Sequence, residues 1–309
     1  MKTFYRNTDR GMKEIPAWEE GCWIHVEEPS SEERSYLEQE LGIPAAFYND
    51  IEDVDERPRI EDEDGWFLII LRIPCRTRDA LQPFTTVPLG ILFNEKHFVT
   101  ITHYATELIG DFVQYTRRKN LKIPNFVDLV LRLHLSSSVW HMKYLKQIHQ
   151  RIKQFEQQLE TSVRNEDLHG LFQLEKCLVY FTTSLKTNDI LATRMRMLKT
   201  FRTVYDEELM EDVDIELRQA MDMTAIYSNI LSGMMRSYES VISNNINMVM
   251  KRLTSISILL MIPTLVASFF GMNVPNFLEQ NAIAFISIVI LSILISVLSA
   301  YIFTIRKWF

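Results

Sequence analysis

The sequence predicts an α/β N-terminal domain, then a stalk of very long helices, then two C-terminal transmembrane helices. Three observations carry this. Proline and glycine punctuate residues 1–124. Between Pro124 and Pro263 there is no proline and only two glycines, Gly170 and Gly233, and proline is the strongest helix breaker. Residues 253–270 and 282–303 carry no charged side chain. The expected divisions are 1–124 for the α/β domain, 125–252 for the helical stalk and 253–309 for the membrane part. Within the last, the spans are 253–270 and 282–305, joined by an outer loop at 271–281.

Trp23-Ile24-His25-Val26 opens the first domain as a short strand. Ser30 and Glu33 then fit a capping box, with the Ser30 hydroxyl on the third helical N–H and Glu33 reaching back. That helix ends near Gly42 and Pro44. Residues 66–73 form a strongly apolar strand, and residues 87–93 and 97–102 a hairpin around Asn94-Glu95-Lys96. The acidic stretch Asp53, Asp55, Glu56, Glu61, Asp62, Glu63, Asp64 reads either as a metal ligand set or as a solvated edge and turn.

Long helices are expected over 126–163, 167–203 and 212–270, with breaks near Arg164-Asn165-Glu166-Asp167 and over residues 205–214. The last runs unbroken from the stalk into the first span. His134, His141, His149 and His169 lie on these helices and read as surface or interface histidines.

A bilayer core of roughly 30 Å needs about 20 helical residues. The second apolar run meets that length, and the first meets it by extending N-terminally. Lys251 and Arg252 precede the first span, Arg306 and Lys307 follow the second, and the loop between has no Lys or Arg and carries Glu279. Positive flanks stay inside, so both termini are expected to be cytoplasmic. The N-terminus has no apolar core and does not read as a signal peptide. The chain has 33 basic and 40 acidic residues, a net charge of −7, which gives no reason to expect nucleic-acid binding. Cys22, Cys75 and Cys177 are scattered, odd in number and without metal-ligand spacing, and read as reduced thiols.

Alternating steps of three and four through the first span pass Asn247, Met250, Thr254, Ser257, Met261, Thr264, Ser268 and Gly271. Every one is polar, small or a thioether, while the other positions are mostly large and apolar. A period of 3.5 keeps such a stripe facing a partner along a bundle. Small and hydroxyl residues can glue membrane helices together, or they can line a watery path. Asn247 and the two methionines are large for close packing, which favours the path. Gly271-Met272-Asn273 follows; in a soluble protein such a triplet is an ordinary left-handed helix cap.

Here the sequence resembles the CorA family of magnesium and divalent-cation transporters. The resemblance rests on Gly271-Met272-Asn273 ending the first of two C-terminal spans. It rests also on Asn247-Met248-Val249-Met250-Lys251-Arg252-Leu253-Thr254 entering that span, on Arg306-Lys307-Trp308, and on Asp55-Glu56-Arg57-Pro58-Arg59-Ile60-Glu61 before an apolar strand. It covers most of the chain. It implies a funnel-shaped homopentamer in the cell (inner or plasma) membrane, with the first span lining a central pore. By position, Asn273 would form the selectivity ring, and Asn247, Met250, Leu253, Met261 and Thr264 would face the path. Glu279 would raise the local cation concentration outside. Magnesium is then substrate, with cobalt or nickel as further cargo, and no cofactor is expected. The expected partners are other copies of the chain, divalent cations and the bilayer.

The family is understood to close when magnesium binds acidic residues between subunits, one of them on this helix. Here that position is Arg236, expected to turn aside toward Glu239. Asp206, Glu207, Glu208, Glu211 and Asp212, with Asp214 and Glu216, offer a replacement regulatory metal set or a solvated turn between helices. Two other functions compete: zinc movement by a related branch, and a membrane-tethered coiled-coil scaffold without a pore. No nucleophile motif, phosphate-binding glycine loop or zinc pattern points to an enzyme.

Overall fold

The computed structural model describes residues 1–79, 82–161, 165–272 and 282–306. Seven strands are found among them: β1 (Lys2–Thr8), β2 (Gly11–Ile15), β3 (Trp23–Glu27), β4 (Arg59–Glu63), β5 (Trp66–Arg76), β6 (Phe84–Phe93) and β7 (Phe98–Thr102). They form one sheet in the order β2-β1-β3-β7-β6-β5-β4. Only β3 and β7 run parallel; every other pair is antiparallel. The β6–β7 hairpin turns on Asn94, whose side-chain oxygen accepts from the N–H groups of Lys96 and His97. The acidic stretch is split: Asp53 and Asp55 lie in the loop before β4, and Glu61 to Glu63 on the edge strand itself. There Arg59 pairs with Asp50, Glu56 and Glu61.

One face of the sheet is covered by α1 (Ser31–Ser35), which continues as a π-turn to Glu40, and by α2 (Ala45–Glu52). The Ser30–Glu33 capping box is formed in both directions. Ile24, Val26, Leu68, Ile70, Leu92, Val99 and Ile101 of the sheet pack there with Leu37, Phe47 and Ile51. Gly90 is required by this packing, since a Cβ there would sit 2.1 Å from Ile51 Cδ1.

The opposite face is covered by α3 (Glu107–Arg118), α4 (Phe126–Thr161) and α5 (Asn165–Met197). Aromatic pairs make the seams: Trp23–Phe112 at 5.9 Å, Phe98–Phe126 at 5.1 Å and Phe84–Tyr144 at 4.5 Å. Asn125 starts α4 by accepting the Asp128 N–H on its side-chain oxygen at 2.8 Å. The 124/125 junction is where strands give way to long helices inside one compact unit, Met1–Gly233; Met234–Phe309 forms a second.

The Asn188 side chain hydrogen-bonds α5 to the edge of the sheet. β4 pairs with β5 only as far as Ile70, and beyond it the N–H and C=O of Arg72 turn to Asn188. The Asn188 side-chain oxygen accepts from the Arg72 N–H at 3.1 Å, and its amide donates to the Arg72 carbonyl at 2.7 Å. The Ser137 hydroxyl of α4 donates to the same carbonyl at 3.2 Å. Two residues on, the strand amide along this edge belongs to Pro74, which has no N–H to satisfy.

The histidine expectation is corrected at two positions. His134 and His141 are buried, and His134 Nδ1 and Nε2 and His141 Nε2 have no hydrogen-bond partner among the described residues. Spacings of three and four put them on the face of α4 that carries Ser137 and Ser138, not on its solvent side. Burial holds their pKa values down, to about 4 for His134 and about 3 for His141. His149 is half-buried and stacks on Tyr227 at 4.6 Å, and His169 is exposed. The three cysteines are free and buried.

After a short α6 (Lys199–Arg202), α7 runs from Glu207 to Phe270. Its 64 residues correspond to about 96 Å of helix. It passes through Pro263 without interruption. The helix starts earlier than the expected 212, because Asp206 caps it: its side chain accepts the Glu208 N–H at 3.0 Å. The last helix, α8 (Ala282–Ile305), matches the expected second span.

Candidate functional site

The sequence's two apolar runs lie in the C-terminal part of α7, up to Phe270, and in α8; both helices are long and apolar enough to cross a membrane, with mean hydropathies of 2.0 and 2.6 over the apolar window. In the apolar run of α7, residues 253–270, the shielded residues are Ser255, Leu259, Ile262, Pro263 and Val266. Their spacings of three and four put them on one face. On α8 the shielded residues are Ile288, Ser292, Ser296, Ser299, Ala300 and Phe303, again one face. Each span thus has one side covered from within its own chain.

The polar stripe lies on the other side of α7. Asn247, Met250, Thr254, Ser257, Met261, Thr264 and Ser268 are all exposed, as is Leu253. At about 100° per residue, the stripe is centred about 155° from the covered face. The Ser257 hydroxyl donates to the Leu253 carbonyl at 2.9 Å and the Thr264 hydroxyl to the Leu260 carbonyl at 2.9 Å. The hydroxyl hydrogens are therefore committed to the helix, and the oxygens keep lone pairs free to accept. Asn244 and Lys251 join Asn247, Met250 and Thr254 around one shallow open depression at the entry to the span.

Gly271 donates its N–H to the Ala267 carbonyl at 2.9 Å and is exposed, as is Met272. It is not a left-handed cap: the described glycines with positive φ are Gly11, Gly21, Gly42 and Gly65. Nor is it crowded, since a Cβ there would meet nothing closer than the Ala267 carbonyl at 3.4 Å. Nothing among the described residues asks for glycine at this position. Asn273, Glu279 and Lys307 lie outside the described residues. Lys251, Arg252 and Arg306 are exposed at the ends of the spans.

The acidic set is not a turn between helices. Glu207, Glu208, Glu211 and Asp212 are exposed on the first two turns of α7, where carboxylates favour the positive helix end, and Asp206 is its cap. Asp214 is paired with Arg196 of α5. No group of three or more metal-ligating side chains is found among the described residues. Arg236 and Glu239 are both exposed, and no ion pair joins them among the described residues, which corrects the expected contact. The pairing of Arg196 and the placement of Ser255 and Ser292 had no signal in the sequence.

A family model described as CorA-like Mg2+ transporter protein matches residues 18–307. The chain belongs to this family. A cobalt/magnesium transport protein CorA from Methanocaldococcus jannaschii is 27% identical over 292 residues, which are 93% of this chain and 90% of the relative. The complete structure of a CorA magnesium transporter from the same organism superposes with a TM-score of 0.83 at 23% identity, covering 100% of this chain and 99% of that one. The fold is shared more widely: the cytoplasmic domain of ZntB from Vibrio parahaemolyticus gives a TM-score of 0.61 at 12% identity over 78% of this chain. Family membership, together with the two long apolar helices, makes this a membrane protein.

Proposed function

We propose that the chain is one subunit of a homopentameric channel that carries divalent cations, magnesium first, through a central pore lined by α7. The observation that carries the reading is the position of the stripe. The chain covers the far side of α7 by itself and leaves the polar side open, and one chain with two spans encloses no path. Copies arranged around an axis would bring these open sides together. The cargo follows from the relatives, whose names state cobalt/magnesium and magnesium transport. This is a transporter's architecture, with no catalytic role assigned to any residue.

Magnesium gives up its water reluctantly and prefers oxygen. The hydroxyl oxygens of Ser257 and Thr264, fixed as acceptors by their bonds to the helix, suit the waters of a hydrated ion. Carboxamide oxygens of Asn273, repeated around a ring, would do the same at the mouth without the tight hold of carboxylates. An exposed Gly271 with no conformational role fits close approach by neighbouring copies. The membrane potential favours inward movement by about 2.3 kcal/mol per charge per 100 mV, so roughly twice that for a divalent ion. Both termini are assigned to the cytoplasm, and the acidic start of α7 is the candidate regulatory site.

The experiment is flux of magnesium, cobalt, nickel and zinc into liposomes, with cysteines at stripe and covered positions. Cysteines at Thr254, Ser257, Met261 and Thr264 should react with small hydrophilic reagents and block flux, and one at Ile262 should do neither. Asn273→Ala should assemble normally, by size-exclusion chromatography, and lose most magnesium flux. Parental flux and ion preference in that variant would remove Asn273 from the pore mouth. Equal protection of all stripe cysteines, without flux, would favour the scaffold.

A further inference from the structure

Between α3 and α4 lies an open cavity of about 470 Å³. Small-molecule sites span about 300–1,000 Å³. Its apolar wall includes Phe112, Leu135, Val139 and Trp140. Three cations line it, Arg118, Arg132 and Lys143, against one carboxylate, Asp111. Arg132 is held at 2.7 Å by Asp128, which is not part of the lining. Asp111 is shared, 2.6 Å from Lys143 Nζ and 3.6 Å from the Arg118 guanidinium. One carboxylate therefore serves two cations, which leaves a surplus of one positive charge. Arg118 carries it, being on the longer contact and 68% exposed at its side chain. Lys143 Nζ also lies 4.0 Å over the Trp140 ring, so charge and apolar surface meet in the same cavity. Trp140 is only 9% exposed, yet its indole N–H has no partner among the described residues.

We propose that this cavity binds a small organic monoanion, with a ring body against the Phe112–Val139–Trp140 wall and a carboxylate on Arg118. A single negative charge matches the surplus. The guanidinium fork suits a carboxylate better than an ammonium does, because it donates two parallel hydrogen bonds in a fixed plane. Burial of the ring supplies affinity without regard to charge, and the head group supplies discrimination. The site is separate from the stripe on α7, so it stands or falls apart from the transport reading.

The test is calorimetry on the full chain in detergent, against a detergent-only blank, with 2-naphthoate and its neutral counterpart 2-naphthamide. Naphthoate should bind once per chain, and the amide about tenfold more weakly, the value of one charge-assisted hydrogen bond. Arg118→Gln is an exposed change that leaves the fold intact; it should weaken naphthoate by about tenfold and leave the amide unchanged. Val139→Trp should fill the cavity and abolish both. No heat above the blank at millimolar probe, or binding indifferent to both variants, overturns the proposal. So does protection of Val139→Cys from maleimide in the assembled protein without probe, which would give the cavity to a second copy of the chain.

Discussion

Asn188→Leu removes the one side chain that closes the β5 edge at Arg72. The replacement keeps the same branched skeleton of heavy atoms and brings no polar group of its own, so the loss is chiefly one of hydrogen bonding. Two bonds disappear, at 3.1 and 2.7 Å, beside a side chain that is 1% exposed. The Arg72 carbonyl keeps the Ser137 hydroxyl, but the Arg72 N–H is left with no acceptor. A lost bond of this type costs about 0.5–1.5 kcal/mol and a stranded buried donor about 1–3 kcal/mol, so the change should cost about 2–4 kcal/mol. Hydrogen exchange at the Arg72 amide reads this locally, without requiring the membrane helices to unfold. Exchange should accelerate roughly 30- to 700-fold, at tenfold per 1.4 kcal/mol. Ser137→Ala alone should cost about 1 kcal/mol or less, because Asn188 still serves the carbonyl. Together the two should cost more than their sum, since only the double variant strips that carbonyl of both donors. Unchanged protection in Asn188→Leu, or strict additivity in the double variant, would refute the reasoning.

Gly90→Ala should destabilise the α/β unit by about 1–3 kcal/mol through overpacking against Ile51, whose β-branched side chain is wholly buried and has little room to turn. Thermal unfolding checks this, and Ile51→Val in the same chain should recover part of the loss. Stability should also fall on acidification. Burial holds His134 at about 4 and His141 at about 3, both below the unfolded value near 6.5. Between these limits the unfolded chain binds more protons, so stability is full above pH 6.5 and declines as pH drops. Each histidine should remove about 1.4 kcal/mol by pH 5.5. Unfolding of the parent and of His134→Gln and His141→Gln at pH 7.5 and 5.5 measures the slope; equal slopes in all three would assign the acid sensitivity elsewhere.

Much of the architecture was legible because it is set by short-range chemistry. The Ser30–Glu33 box, the Asn94 hairpin and the helix running through Pro263 depend on residues a few positions apart. So do the two apolar runs, whose length against a bilayer is a property of the segment alone. The stripe could be read because helical periodicity places its members on one side before any partner is known. The start of α7 was misplaced because an acidic run looks the same in a loop and on a capped first turn; only the Asp206 cap at the observed break distinguishes them.

Tertiary structure decided what depends on groups far apart in the chain. The parallel pairing of β3 with β7, the burial of His134 and His141, and the hold of Asn188 on Arg72 across 116 positions follow from how α4 and α5 settle on the sheet. The cavity between α3 and α4 likewise exists only once two helices stand side by side. Which side of α7 is left open is the clearest case. Sequence alone marks a polar side and an apolar side. The covered face opposite that stripe, with Ser255 buried at its N-terminal end, emerges only when the rest of the chain is folded, because burial is a property of neighbours and not of a residue's own period.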